Sequence, residues 1–207
     1  PGVTEILFAV GLGDKVVGVD EYSDYPPEAQ SKPKVGGFAT ISVEAVVALN
    51  PDIVISTAGV QLPFVDRLTQ LGLPVLVLDP KSISGVINDV VLVGQATGNT
   101  EAASRLADNM RQTVLWVEDR VGGTSGRPRV YFELWCDPLM SFGQGTWVDE
   151  IIRGSGGVNI FGDSAIQYPM VNSETIIQRN PEYIIIQPHS AGGVTPQDVK
   201  NRSGWDV

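Results

Sequence analysis

Two stretches of this chain, 130 positions apart, keep the same order of residue types. The first, at 42–55, reads SVEAVVALNPDIVI, and the second, at 172–185, reads NSETIIQRNPEYII. Each copy predicts a short helix, a break at Asn-Pro and a buried strand, because the residue before a proline disfavours the helical region. An order kept twice predicts a duplicated structural unit and a fold made of two similar halves. The equivalent positions are Glu44 and Glu174, Asn50-Pro51 and Asn180-Pro181, Asp52 and Glu182 and, upstream, Phe38 and Tyr168.

Hydrophobic periodicity around both copies alternates between helix and strand. Strands that alternate with helices of this size indicate a parallel α/β sheet. The predicted helices run from Thr4 to a Gly-x-Gly stop and then cover 43–50, 64–72, 146–157 and 173–180. The predicted strands are 16–19, 52–57, 74–79, 129–135, 158–161 and 183–188.

The segment between the two halves has almost no strand pattern. One helix is predicted over 82–96, the pair Gly98-Asn99 breaks it, and a second helix follows over 100–121. That second helix would be about 30 Å long at 1.5 Å per residue. We therefore predict an α/β lobe at 1–81, a helical linker at 82–121 and a second α/β lobe at 122–207, incomplete at its C-terminal end.

Composition narrows the class of protein. The net charge of -10 and a pI near 4.5 argue against nucleic acid as a partner, because phosphate binding needs clustered Lys and Arg. One cysteine, Cys136, and one histidine, His189, exclude an internal disulfide and a Cys/His zinc site. No apolar run reaches the ~18 residues of a membrane span. The acidic balance suits a monomer. The chain opens at Pro1 inside a helical pattern, so we interpret it as a fragment or trimmed domain.

Two acids, Glu44 and Glu174, are predicted in the first turn of their helices, after Ser42 and Asn172 as N-caps. Such an acid ordinarily complements the helix dipole, which is the simpler interpretation. The alternative is that both acids lie on the rim where ligands and partners bind to parallel α/β lobes. They would then offer two matched anionic contacts to a partner with two equivalent basic sites.

Aromatic residues in loops suggest a ligand of a particular kind. Five of them are predicted to follow strands on one edge, namely Tyr22, Tyr25, Phe38, Trp135 and Tyr168. Any one could cover the core, but several together suit a large, partly apolar ligand. The rim segments contain Lys81 but no arginine and no glycine-rich phosphate loop, so a small anion fits less well.

Residues for catalysis do not assemble in the sequence. Cys136 and His189 are 53 positions apart, and His189 is better explained as a surface residue. The Gly143-Gln-Gly145 run lacks the remaining elements of a nucleotide loop. The adjacent pair Asp149-Glu150 diverges on a helix. We therefore predict no enzyme, no catalytic residue, no metal site and no cofactor.

Four segments resemble the class III periplasmic (solute-)binding proteins of ABC importers for cobalamin, iron-siderophores and haem. Of the first lobe these are VTEILFAVGLGDKVVGVDEYSDYPPEA, KPKVGG and SVEAVVALNPDIVI, and the second lobe is resembled by the run from VYFELWCDPLMSFGQGTWVDE to RNPEYIII. The resemblance covers nearly all 207 residues. It implies two parallel-sheet α/β lobes joined by one long helix, and it implies a strand before PGVTE and further elements after SGWDV.

The resemblance also implies roles for single residues. Glu44 and Glu174 match the lobe-tip glutamates that dock onto arginines of the two permease subunits. Ligand contacts are expected at Tyr22, Phe38 and Tyr168, at Thr57 and Met140, where cobalamin receptors are aromatic, and at Trp135, which could compensate. The expected ligand is cobalamin or a related corrinoid, then a ferric siderophore, then haem. The partner is an ABC importer permease dimer at a periplasmic or extracellular surface, with lipid anchoring left open.

Two alternatives from other classes remain at this point. A chelatase-like enzyme could hold a tetrapyrrole between two α/β lobes, and it would need a histidine or carboxylate at the metal, for which His189 is the only histidine. An interaction module without a small ligand is the second. Titration with cobalamin, siderophores and haemin separates all three.

Overall fold

The computed structural model describes residues 1–186 and 194–205 and divides the chain into two compact units. The first unit comprises Pro1–Pro80 and Ser84–Arg111, and the second comprises Lys81–Ile83 and the chain from Gln112 onward. The predicted domain boundaries at 81/82 and 121/122 stay a prediction. No helix in the described part of the chain is long and apolar enough to cross a membrane.

The first unit is built around a pair of parallel strands. In chain order its elements are α1 (Gly2–Ala9), β1 (Gly36–Gly37), β2 (Thr40–Ile41), α2 (Val43–Ala48), β3 (Val54–Thr57), α3 (Leu62–Gln70) and β4 (Val75–Leu78). Strands β3 and β4 pair in parallel, from Val54 opposite Val75 to Thr57 opposite Leu78. Buried Val43 and Val46 of α2 pack on Leu68 of α3, so the two helices share one core.

The predicted strand at 16–19 is wrong except at its last residue. Val19 forms a single parallel bridge with Lys34, in which Val19 N–H donates to Pro33 O at 2.9 Å and Val35 N–H donates to Val19 O at 3.0 Å. The ladder cannot continue toward Val17, because Pro33 has no backbone N–H to donate.

Two long helices follow, and both predicted helices are confirmed. They are α4 (Ile83–Thr97) and the 22-residue α5 (Thr100–Val121), with Gly98 at φ +71° between them. A Cβ on Gly94 would lie 2.2 Å from the Cβ of Ala103, so only glycine permits this close approach of α4 to α5. The boundary between the two units falls within α5, after Arg111.

The second unit contains a three-stranded parallel sheet, in which β5 (Arg129–Glu133) lies between β8 (Val158–Asn159) and β9 (Tyr183–Ile186). Buried Tyr131, Ile160, Phe161 and Ile176 form one core cluster, and Val130, Phe142, Val148 and Ile152 form another. Its elements are β5 (Arg129–Glu133), β6 (Trp135–Cys136), β7 (Leu139–Met140), α6 (Trp147–Gly154), β8 (Val158–Asn159), α7 (Ser173–Arg179), β9 (Tyr183–Ile186) and α8 (Pro196–Lys200).

Three details of this unit differ from the predicted elements. The strand predicted over 129–135 ends at Glu133, and Trp135 instead starts an antiparallel hairpin of β6 and β7. The strand predicted over 158–161 stops at Asn159, and helix α8 was not predicted. Strand β9 is described to Ile186, and His189 lies outside the described residues.

The predicted duplication is confirmed element by element. Each copy starts at a side-chain cap, since Ser42 Oγ accepts from Ala45 N–H and Asn172 Oδ1 accepts from Thr175 N–H. Each ends at an asparagine in the left-handed region, with φ 46° at Asn50 and 45° at Asn180. Asparagine tolerates this conformation better than most residues, and a proline after it prevents further helix. A parallel strand follows in both copies.

Candidate functional site: aromatic side chains on both units

A buried polar network holds the loop that carries Tyr22. Ser23 is fully buried, and its hydroxyl lies 2.8 Å from both Thr4 Oγ1 and Asp20 Oδ2. Lys34 Nζ donates to Ser23 O at 2.9 Å, and Tyr22 N–H donates to Asp20 Oδ1 at 2.9 Å. With the backbone fixed in this way, the Tyr22 side chain remains 56% exposed.

The side chain of Gln61 links Phe38 to Thr57. Gln61 Oε1 accepts from Thr57 N–H and Thr57 Oγ1, both at 3.0 Å, and from Ser56 Oγ at 2.7 Å. Gln61 Nε2 donates to Phe38 O at 3.3 Å. The loop after β1 is thereby fastened to the carboxyl end of β3, while the Phe38 ring stays 43% exposed.

Three of the predicted residues therefore meet in the first unit. A Cβ on Gly37 would lie 3.8 Å from Tyr22 Cε2, which places the Tyr22 ring beside the backbone that precedes Phe38. Phe38, Thr57 and Gln61 also line a cavity of about 690 Å³ within this unit.

Trp135, Met140 and Tyr168 lie on neighbouring segments of the second unit. Trp135 pairs with Met140 across the hairpin, and Met140 forms a bridge with Met170. Tyr168 packs edge-on against Phe142, with ring centroids 5.8 Å apart, and remains 46% exposed. The Trp135 indole N–H donates to Asp137 O at 2.9 Å, so its ring rather than its donor is free for a ligand.

Tyr25 and Lys81 do not join these two groups in the described contacts. Tyr25 is exposed just before a 3-10 helix at Pro27–Ser31, and Lys81 belongs to the short part of the second unit that precedes α4. The five aromatics thus do not all follow strands as predicted, since Tyr22 follows a single bridge and Trp135 lies in β6.

Glu44 and Glu174 are both exposed in the first turn of α2 and α7, but their surroundings differ. Glu44 Oε1 lies 3.7 Å from Arg67 Nη2, and Ser42 Oγ lies 3.4 Å from Glu44 Oε2. In the described part of the chain, no cation lies within ion-pair distance of Glu174.

The adjacent acids Asp149 and Glu150 are both engaged in hydrogen bonds within the fold. Asp149 is buried and accepts from Asn159 Nδ2 at 3.0 Å, while Glu150 accepts from the backbone N–H of Ile83 at 2.7 Å. The two carboxylates therefore diverge, as predicted. The residues that the structure describes contain no cluster of three metal-ligating side chains.

A buried ion pair in the second unit escaped sequence reasoning. Glu133 on β5 is fully buried, and both of its oxygens accept from the Arg202 guanidinium, one at 2.8 Å. The Arg202 guanidinium also lies 4.9 Å from the centre of the Trp205 ring. Burial, with the Glu133 charge close by, raises the pKa of the Tyr131 hydroxyl well above its usual range. Glu133 and Arg202 are 69 positions apart, and the periodicity of a sequence does not reveal contacts at that separation.

Comparison with known proteins identifies the class to which this fold belongs. A family model described as periplasmic binding protein matches residues 1–206, and the chain belongs to that family. Its fold is therefore two α/β lobes joined by one long helix. Members of this family are binding components of transport rather than enzymes, so the chelatase alternative is set aside.

Several proteins that are similar to this chain have names that state what they bind. The vitamin B12-binding protein of Vibrio cholerae serotype O1 is 34% identical over 192 residues, 92% of this chain and 69% of that protein. The crystal structure of the Vibrio cholerae periplasmic vitamin B12-binding protein BtuF aligns with a TM-score of 0.80 at 33% identity, covering 91% of this chain and 74% of that one. The periplasmic haem-binding protein RhuT of Roseiflexus sp. RS-1 aligns with a TM-score of 0.83 at 27% identity, covering 99% and 83%.

Proposed function

We propose that this chain is the solute-binding receptor of an ABC importer and that its ligand is a bulky metal chelate, with cobalamin or a related corrinoid as first choice. One observation carries the proposal: each unit holds aromatic side chains exposed on an anchored backbone. In the first unit these are Tyr22 and Phe38, and in the second they are Trp135, in the hairpin, and Tyr168, whose neighbours Gln167 and Pro169 accept backbone hydrogen bonds. Large aromatic faces left in water gain most from burial under a ligand.

The ligand is recognised through its organic periphery. Thr57 Oγ1 already bonds to Gln61, and the Trp135 indole donates to Asp137 O, so these residues offer mainly surface. Met140 adds a polarizable side chain where a corrin or porphyrin edge can pack. The cobalt or iron would arrive already chelated, as cargo rather than cofactor.

The proposed partner is the permease dimer of the importer. Glu44 and Glu174 are exposed at equivalent positions of a duplicated unit, as a contact to two equivalent basic sites requires. The location would be the periplasm or the extracellular surface. The vitamin B12-binding relatives, one of which is described as periplasmic, support this location.

Titration with cyanocobalamin, a ferrichrome-type siderophore and haemin tests the proposal. Cyanocobalamin should raise the melting temperature and bind with 1:1 stoichiometry in calorimetry. A ligand at 100 times its Kd stabilises the folded state by about 2.7 kcal/mol, which is readily measured. Binding of none of the three would overturn the proposal.

A triple variant tests the ligand-binding residues. Tyr22→Ala, Phe38→Ala and Tyr168→Ala together should abolish detectable binding, because most binding energy resides in few buried aromatic contacts. Tyr183→Ala is the matched control, since it removes an exposed tyrosine of β9 outside the proposed site. Equal affinity of the triple variant and the control would refute the site.

Haem is the second candidate ligand. The chain aligns with the haem-binding protein RhuT over almost its entire length. Preferential binding of haemin in the same titration would replace cobalamin by haem and leave the receptor role unchanged.

A further inference from the structure

The two acids proposed for importer docking are not equivalent. Glu44 lies in a side-chain cluster with Arg67, at 3.7 Å, and with the Ser42 hydroxyl, at 3.4 Å. The Arg67 side chain is 67% exposed and that of Glu44 is 77% exposed, so both face solvent where a partner would arrive. The cation therefore shares the surface through which Glu44 would be reached.

The packing of α2 on α3 places Arg67 beside Glu44. Val43 and Val46 of α2 bury against Leu68, the residue next to Arg67 on α3. With Leu68 directed into the core, Arg67 emerges at the edge of the helix pair and reaches the first turn of α2. The pair thus follows from the helix contact rather than from a chance encounter of flexible side chains.

Among the described residues of the second unit, no such arrangement surrounds Glu174. Its cap residue, Asn172, accepts from Thr175 N–H through Oδ1. The nearest arginine on the same helix, Arg179, is engaged elsewhere: it pairs with Asp163 at 2.6 Å, donates to Ile160 O and stacks on Phe161. Glu174 thus presents a full negative charge, whereas Glu44 and Arg67 together present about none.

We propose that Arg67 competes with the importer's basic residue for Glu44, so that docking depends more on the second unit than on the first. This inference rests on the proposed docking function. A cation arriving at Glu44 must displace Arg67 and is repelled by it, whereas a cation arriving at Glu174 meets neither obstacle. Because the pair is exposed, its attraction is weak, and the expected effects are modest fold-changes rather than losses of binding.

Affinity for the importer permease in lipid nanodiscs, measured with the full chain, tests the competition. Arg67→Gln should tighten docking about two- to five-fold, the range of an exposed ion pair. Glu174→Gln should weaken docking more than Glu44→Gln. In a Glu44→Gln background Arg67→Gln should gain less, because only the repulsion is then relieved.

Controls separate this inference from the docking proposal itself. Arg105→Gln removes the same charge from an exposed pair with Glu101 on α5 and should leave docking unchanged. Cyanocobalamin affinity should be the same in all variants. If the two glutamate variants lose docking affinity equally, or if Arg67→Gln docks more weakly, the competition is refuted but the docking role is not. Unchanged docking in both glutamate variants would overturn the docking role.

Discussion

At the scale of single residues, the candidate site depends on a side chain that fastens its backbone segments together. Gln61 occupies four hydrogen bonds, three accepted by its Oε1 and one donated by its Nε2. It joins two segments that the chain separates by about twenty residues. Phe38 can therefore remain exposed on a fixed backbone, which limits the ordering entropy that ligand binding has to overcome.

Substitution of Gln61 should reveal this positioning role. Gln61→Leu removes all four bonds at similar size and should destabilise the protein by about 1–3 kcal/mol. Gln61→Glu keeps an acceptor for Thr57 but places a carboxylate against Phe38 O. This variant should lose cyanocobalamin affinity clearly, with only a small drop in melting temperature. Gln70→Leu, at the exposed C-terminal end of α3, the helix for which Gln61 is the N-cap residue, is the control. A parent-like melting temperature for Gln61→Leu would contradict the role.

Asp89 gives the protein a pH-dependent weakness. This carboxyl on α4 is buried, and its burial, together with the nearby Asp79, raises the pKa of Asp89 above its usual value of 3.8. The folded state therefore binds this proton more tightly than the unfolded state does. The stabilisation that protonated Asp89 gives the folded state is lost as the pH rises from 3.8 through the folded-state pKa of Asp89.

The substitution Asp89→Asn should accordingly raise the melting temperature at pH 7. The gain should shrink as the pH falls and vanish below pH 3.8, where Asp89 is protonated in both states. Asp66→Asn, on the exposed face of α3, is the control and should change the melting temperature little at pH 3 and at pH 7. A gain of the same size at pH 3 and pH 7 would show that charge is not the cause.

At the scale of elements, local pattern predicted the helices well and the strand limits poorly. Helices α4 and α5 follow from long apolar periodicity and a glycine break, which need no tertiary information. The strand predicted at 16–19 forms only at Val19, because Pro33 in the segment opposite has no backbone N–H to donate. The hairpin of β6 and β7 was missed because the apolar run continued through Leu134 into Trp135.

Helix α8 carried a signal that was overlooked. Thr195 and Asp198 form a reciprocal capping box, with Asp198 N–H donating to Thr195 Oγ1 and Thr195 N–H donating to Asp198 Oδ2. The spacing of these two residues is a recognised helix start. Its attachment to β5 through Arg202 and Glu133 was beyond sequence reasoning, because it depends on which distant segments meet.

That attachment predicts a large effect of a single arginine. Arg202→Leu leaves the fully buried Glu133 carboxylate without its partner and should cost about 3–5 kcal/mol, measured by thermal or urea unfolding. The double variant Glu133→Leu and Arg202→Leu should recover most of that loss, since no buried charge remains. Arg111→Leu, which breaks an exposed pair with Asp108, should cost less than about 1 kcal/mol. Equal losses in the single and double variants would refute the account.

At the scale of the whole molecule, the duplicated unit explains why two separate groups of aromatic residues exist. The capped helix, the left-handed asparagine and the following strand recur in both units, and each copy places one aromatic six residues before its acid. A duplication of this kind fits the proposed partner with two equivalent basic sites, and the proposed bulky ligand has to be tested against both groups. Phe38 and Tyr168, the paired aromatics, are the residues at which this idea is tested most directly.

Calorimetry on single and double variants decides whether one ligand uses both units. Phe38→Ala and Tyr168→Ala should each weaken cyanocobalamin binding about ten-fold, as expected for an aromatic contact worth 1–2 kcal/mol. If both rings contact the same molecule without contacting each other, their free energies add, and the double variant should bind about a hundred-fold more weakly at unchanged 1:1 stoichiometry. Trp116→Ala, which removes an exposed aromatic of α5, should bind like the parent. Two ligands per chain, each lost with one substitution, would instead mean that the units bind separately.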